Sequence, residues 1–212
     1  HRQMPSQMRY LDSQQAQSLL NAAKGDRLEA LYVLAITTGM RQGELLGLRW
    51  QDVDLESGSL QVRRTLSQIK GGVALYKEPK SGKGRSIRLS GMALEALRRH
   101  RASQNEEHLK LGGLWEDHGL VFPGPAGEPM RRWTLDRRSF APLLERAGLS
   151  GTVTFHGLRH TCATLMLKGG IHAKVVQEVL GHADIALTLN VYSHVLPDMQ
   201  EEAARRMDEL LA

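Results

Sequence analysis

Residues 155–170, FHGLRHTCATLMLKGG, set two histidines and an arginine within five positions and then turn apolar. On a helix His156, Arg159 and His160 fall at i, i+3 and i+4, so all three share one face over a single turn. Such a face suits a metal or an anion. The metal reading lacks its base: a metalloprotease helix carries glutamate directly after the first histidine, where this chain has Gly157, and Leu158 cannot replace it. Arg159 on the same face would also repel a dication. A nucleotide site is the next competitor, because SGKGRS resembles a phosphate loop. The Walker pattern needs glycine where Lys77 stands and Ser or Thr where Gly84 stands, so it fails twice. KEPKSGKGRSIR then reads either as a solvated basic turn or as part of a groove that follows a phosphate backbone.

A phosphodiester fits the remaining residues. Its non-bridging oxygens gain charge during substitution at phosphorus, and two forked guanidinium donors stabilise that charge without a metal. Arg159 is one such donor. Arg41, three residues before Glu44, is the other, and a helical i, i+3 pair would hold it in place. A nucleophile is available in LGHADIALTLNVYSHV, residues 180–195, which puts His182 after a Leu-Gly stop and Tyr192 ten residues later. Forming a tyrosine phenolate at pH 7 costs roughly 4 kcal/mol. Neighbouring cations and a base such as His156 can offset much of that. Taken alone, a tyrosine such as Tyr192 is more often a half-buried packing residue than a nucleophile.

These side chains need rigid elements beneath them. LDSQQAQSLLNAAK is predicted to be a helix capped by Asp12 or Ser13, with Ala16, Leu19, Leu20 and Ala23 on one face. RLEALYVLAITTG is a more apolar, central helix ended by Gly39, and MRQGELLGLRW a short helix with Arg41 at its start. Between Gly58 and Leu89 the pattern alternates in SLQVRRTLSQIK, VALYKEPK and GRSIRLS, with Gly71-Gly72 and Ser81-Gly82 at turns, which predicts a three-stranded antiparallel sheet. Helices follow at GMALEALRRHRASQNEEHLK, near Leu135 to Ala147, at the opening stretch, and around Val175 and Ala186. The tail carries Met199, Ala203, Met207, Leu210 and Leu211 on one stripe. The fold class is therefore mainly α with a small antiparallel sheet, α+β.

With 212 residues the chain suits one domain with a sizeable core, or one domain plus a small appendage. Lys and Arg outnumber Asp and Glu 28 to 23, a net +5 that favours a polyanionic partner. The one cysteine, Cys162, allows no internal disulfide and sits on an apolar run as a packing residue. No apolar stretch reaches the roughly 20 residues of a membrane span and no signal-peptide pattern is present, so a cytoplasmic protein with no membrane partner is expected. The chain starts at His1 without an initiator methionine, as a fragment of a longer protein would.

TTGMRQGELLGLRW, EPKSGKGRSIRL, FHGLRHTCATLML and LGHADIALTLNVYSHV occur in the order and approximate spacing of the tyrosine recombinases of the phage-integrase type, and the resemblance runs from about Leu11 to the C-terminus. It implies that Arg41 and Arg159 clamp the scissile phosphate and that Lys80 protonates the leaving 5′ oxygen, with Lys77 and Lys83 close by as alternatives. His156 would handle the tyrosine proton, His182 would hydrogen-bond a phosphate oxygen, and Tyr192 would attack to give a 3′-phosphotyrosine. Glu44 matches the acidic support of Arg41, and His160 a supporting histidine of the same helix. Lys77, Lys83 and Arg85 would contact DNA backbone. The energy of the cut ester is kept in the tyrosine link, so neither metal, ATP nor other cofactor is expected.

The same resemblance implies residues 1–10 as the end of an interdomain linker and 11–212 as a catalytic domain, without the N-terminal core-binding domain. It implies double-stranded DNA as partner, a homotetramer on DNA, a monomer as an isolated domain, accessory DNA-bending proteins, and a place at the nucleoid of a bacterial or phage-infected cell. The amphipathic tail would pack on a neighbouring copy or back on its own domain. A chromosome-dimer resolvase, a topoisomerase-like relative of the same chemistry and a catalytically inactive DNA-binding relative are the alternatives.

Overall fold

The computed structural model describes residues 10–71, 73–78 and 84–182, together with 205, 207–209 and 211. Helix α1 (Ser13–Ala22) begins with a reciprocal cap, in which the Gln15 amide donates to Asp12 Oδ1 at 2.8 Å and the Asp12 amide to Gln15 Oε1 at 3.0 Å. Its buried face is Ala16 and Leu19, continued by Ala23, with Leu20 partly covered. Helix α2 (Glu29–Thr38) is apolar all round and almost wholly buried, as expected of a helix enclosed on every side. It packs against α4 (Gly91–Leu111), α7 (Phe155–Lys168) and α1.

Gly39 ends α2 in the left-handed conformation, φ 60°. A Cβ there would collide with Leu180 and Cys162. Glycine is thus favoured for its backbone angle, and the side chains of Cys162 on α7 and Leu180 on α8 pack where a Cβ would sit. Helix α3 (Gln42–Leu46) starts immediately after, with Arg41 as its N-cap residue.

The predicted three-stranded antiparallel sheet is present, with a different set of strands. It consists of β1 (Val53–Asp54), β2 (Ser59–Val62) and β5 (Arg85–Arg88), in that order, with Leu60 opposite Ile87 and Val62 opposite Arg85. SLQVRRTLSQIK breaks at Arg63-Arg64, where Arg64 Nη1 donates to Oδ2 of the buried Asp52 at 2.7 Å and the exposed Arg63 lies 3.7 Å from Oδ1. Beyond the break, β3 (Thr65–Lys70) and β4 (Val73–Lys77) form a separate hairpin, Thr65 opposite Lys77. This hairpin lies against α3.

The helix predicted near Leu135 to Ala147 is observed as α5 (Arg132–Leu135), a π-helical turn over Asp136–Phe140 and α6 (Ala141–Arg146). Helix α7 is capped by Thr154, whose Oγ1 accepts from the Gly157 amide. Cys162, Ala163 and Leu167 of α7 form a small satellite core with Val176 and Leu180 of α8 (Ala173–Leu180). The second short helix, around Ala186, lies outside the described residues. No helix among the described residues is long and apolar enough to cross a membrane.

Candidate phosphate-binding site

Three chain segments distant in sequence meet where α2 ends, α7 begins and α8 ends. Glu44, 1% exposed, occupies the centre. Its Oε1 accepts from Arg41 Nη1 at 2.9 Å and Arg85 Nη1 at 3.1 Å, and its Oε2 from the Arg41 amide at 2.9 Å and Arg85 Nη2 at 2.8 Å. Four donors fill the acceptor sites of one carboxylate. Burial alone would raise the Glu44 pKa. The hydrogen bonds and charge of Arg85, and then the amide and charge of Arg41, outweigh that and leave it lowered. Glu44 is therefore an anion at neutral pH.

Arg159, 4% exposed, is held differently. Nη1 donates to the Gly39 carbonyl at 2.7 Å and Nη2 to the Leu180 carbonyl at 2.8 Å. Those carbonyls stand at the C-terminal ends of α2 and α8, where helical carbonyls lack partners and carry partial negative charge. One guanidinium thus closes two helices and has further N–H groups for a guest. Burial, and then the charge of Arg41, push the Arg159 pKa down. Its positive charge is costly at so buried a position, a cost that an anion beside it would offset.

The histidines are arranged around this charge. His156 and His160 lie one turn apart on α7 with ring centroids 5.0 Å apart, edge to face. His156 is exposed and His160 half-buried. The pKa of His156 is lowered by desolvation and by Arg159 and Arg41, and that of His160 by burial, His156 and Arg159. His182, directly after the α8 cap Gly181, is driven down to about 4 by burial and then by Arg159, Arg41, His160 and Arg85. All three imidazoles are neutral at pH 7, with one ring nitrogen able to donate and the other to accept.

The structure brings Arg41, Glu44, His156, Arg159, His160 and His182 together; spacing alone had joined only His156, Arg159 and His160 on one turn and Arg41 with Glu44. Lys77, at the end of β4, is exposed and lines a cleft of about 540 Å³ with Arg41, Thr65, Arg132 and His156. Lys80, Lys83 and Tyr192 lie outside the described residues. Arg85 is placed elsewhere than on the expected DNA-facing surface: its side chain is 9% exposed, forked onto Glu44, with Nε donating to the Val179 carbonyl at 2.8 Å. Strand alternation carried that signal, since Arg85 shares the inward face of β5 with Ile87. Arg132, which the sequence reading passed over, reaches the cleft and donates from Nη2 to the Leu66 carbonyl at 2.8 Å. Among the described residues, no three His, Cys, Asp or Glu side chains are grouped as a metal site would need.

Chemically the cluster gathers three guanidinium groups, Arg41, Arg85 and Arg159, with the single carboxylate of Glu44, a net excess of positive charge beside the cleft that Arg41 lines. That is the complement of a phosphate-sized anion.

Known proteins resemble this chain in sequence and fold. The model of the phage integrase family matches residues 9–199. The XerC-like tyrosine recombinase of Caldanaerobacter subterraneus subsp. tengcongensis is 35% identical over 93% of the chain and 53% of its own length. The crystal structure of XerA recombinase matches with a TM-score of 0.72 at 28% identity, covering 96% of this chain and 66% of that one. The Tn1549 transposon integrase in complex with circular intermediate DNA matches with a TM-score of 0.73 at 25% identity, covering 92% and 67%. The chain spans about half the length of the curated relatives it matches.

Proposed function

Since the chain belongs to the phage integrase family, we propose that residues 11–212 are the catalytic unit of a site-specific DNA recombinase that cuts and rejoins strands through a 3′-phosphotyrosine. The observation that carries this reading is the buried Arg159, held by the Gly39 and Leu180 carbonyls, beside Arg41, braced on Glu44. In the proposed step the Tyr192 oxygen forms a bond to phosphorus and the bond to the 5′ oxygen breaks. The phenolic proton passes to His156, which is neutral and has a lone pair to accept it. The departing 5′ oxygen takes a proton from a lysine of the β4–β5 turn, Lys80 in this reading. Arg41 and Arg159 balance the charge that grows on the non-bridging oxygens, and neutral His182 donates a hydrogen bond to one of them. Rejoining is the same path reversed, with another 5′ hydroxyl as nucleophile, and requires neither a metal nor ATP.

Double-stranded DNA is the substrate in this reading. It would run over the cleft and along β3, where Arg131, Arg132 and Trp133 line a neighbouring groove of about 220 Å³. A tetramer on two duplexes, helped by bending proteins, is the expected working assembly. A nicked suicide substrate tests the chemistry: the native protein should become covalently attached to DNA, and Tyr192→Phe should bind DNA with unchanged affinity and form no adduct. DNA binding without any adduct from the native protein would leave only a binding module. With two attachment sites, recombinant products are expected. Relaxation of supercoils without recombinants would favour the topoisomerase-like alternative.

A further inference from the structure

The bonds of Arg85 run in two directions. Two of its nitrogens fork onto Glu44, which in turn holds both the backbone amide and the side chain of Arg41. The third, Nε, grips the Val179 carbonyl in the last turn of α8, one residue before the carbonyl that Arg159 holds. Gly181, at φ 65°, lies so close that a Cβ there would come within 2.8 Å of Arg85 Cδ. β5 thus reaches, through one side chain, the N-terminus of α3 on one side and the end of α8 on the other. His182 follows that end directly.

We propose that Arg85 is a positioning residue that keeps Arg41 and the His182 end of α8 in fixed relation across the phosphate site. It acts through Glu44 and Val179 rather than by touching the substrate. Only a guanidinium can fill this place. A lysine ammonium is a point charge that cannot fork onto Glu44 and at the same time reach a carbonyl lying off to the side. Arg159 is already fastened to Gly39 and Leu180, so without Arg85 one clamp arginine would stay fixed while the other lost half the charge partners of its brace. A displacement of about 1 Å in such an arrangement can slow a reaction roughly a hundredfold.

The rate part of the test rests on the recombinase reading; a second measurement does not. Arg85→Gln and Arg85→Lys are compared with the native protein well below their unfolding temperatures. For Arg85→Gln the single-turnover rate of adduct formation at saturating nicked DNA should fall about a hundredfold, while DNA affinity stays within about threefold. Arg85→Lys should recover little of the rate, and serves in its place if the glutamine variant does not fold. The double variant with Glu44→Gln should be no slower than the slower single variant, because both changes cut one chain of contacts.

Independently of DNA, the His156 ring proton titration followed by NMR reports where Arg41 is. Arg41 helps to hold the His156 pKa down, whereas Arg85 is not among its causes. The midpoint should therefore rise towards the ordinary histidine value in either variant. An adduct rate within about threefold of native, or an unmoved His156 midpoint in the folded variants, overturns the proposal. So does a loss of DNA affinity as large as the loss of rate, which would make Arg85 a DNA contact. If the native protein forms no adduct at all, the recombinase reading fails while the His156 titration still decides the role of Arg85.

Discussion

The two sides of the phosphate site are built on opposite terms. The inner wall, made of Glu44, Arg85 and Arg159, is buried and held by hydrogen bonds from α3, β5 and the closing turns of α2 and α8. The outer rim, made of His156, Lys77 and Arg132 around the cleft, is exposed. Arg41 spans the two, one face on Glu44 and the other towards solvent. The wall fixes where charge sits before any ligand arrives, so little reorganisation is left for the reaction. In the proposed function the rim draws in and orients the polyanion, a task that tolerates side-chain freedom.

Substitutions should separate these two roles. The largest effect is expected at Arg159→Met: adduct formation should fall by at least about a thousandfold, as loss of a transition-state donor does. Chemical denaturation of the same variant should show a loss of about 1–3 kcal/mol, because the Gly39 and Leu180 carbonyls lose their donor. Glu44→Gln comes next. Removing the one carboxylate between Arg41 and Arg85 should destabilise by about 3 kcal/mol and slow the adduct about tenfold to a hundredfold.

The pH dependence of stability sharpens the contrast. The folded pKa of His182 is depressed, so the folded protein refuses a proton that the unfolded chain accepts. Its contribution is complete above the ordinary histidine value of about 6.5 and disappears as pH falls towards about 4. Glu44 is likewise depressed, and its contribution is lost only below the ordinary glutamate value of about 4.3. Urea unfolding between neutral and acid pH should show the first window vanish in His182→Asn and the second in Glu44→Gln. Inorganic phosphate should raise the His182 midpoint, since an anion in the site opposes the arginines.

At the rim the effects are smaller. Lys77→Ala should leave the unfolding temperature unchanged and lower the slope of log affinity against log salt by about 1. Behind the wall, burial pushes the Cys162 thiol up to about 12, so alkylation by iodoacetamide should be undetectable in the folded protein and rapid in urea.

Much of this was legible before any coordinates. The helical face joining His156, Arg159 and His160, the Arg41–Glu44 pair at i, i+3, the Asp12 cap and the Gly39 stop are all short-range patterns, and each appears where local chemistry requires it. The partition of the strands was not legible. The Arg63-Arg64 break falls beside Asp52, a buried carboxylate that periodicity cannot weigh. The inward placement of Arg85 escaped for a similar reason: in a run of basic residues its charge suggested a DNA contact, while its alternation with Ile87 pointed inward, and only the packing shows its side chain 9% exposed and forked onto Glu44.

By itself, then, the order of residues determined which groups can do chemistry and which of them share a helical turn, because spacing within a few residues is set by backbone geometry alone. Tertiary structure decided the pairings across Gly39, Glu44, Arg85, Arg159 and Leu180. These contacts join segments far apart in the chain, and only the packing of α2, α7, α8 and β5 determines which buried charge meets which partner.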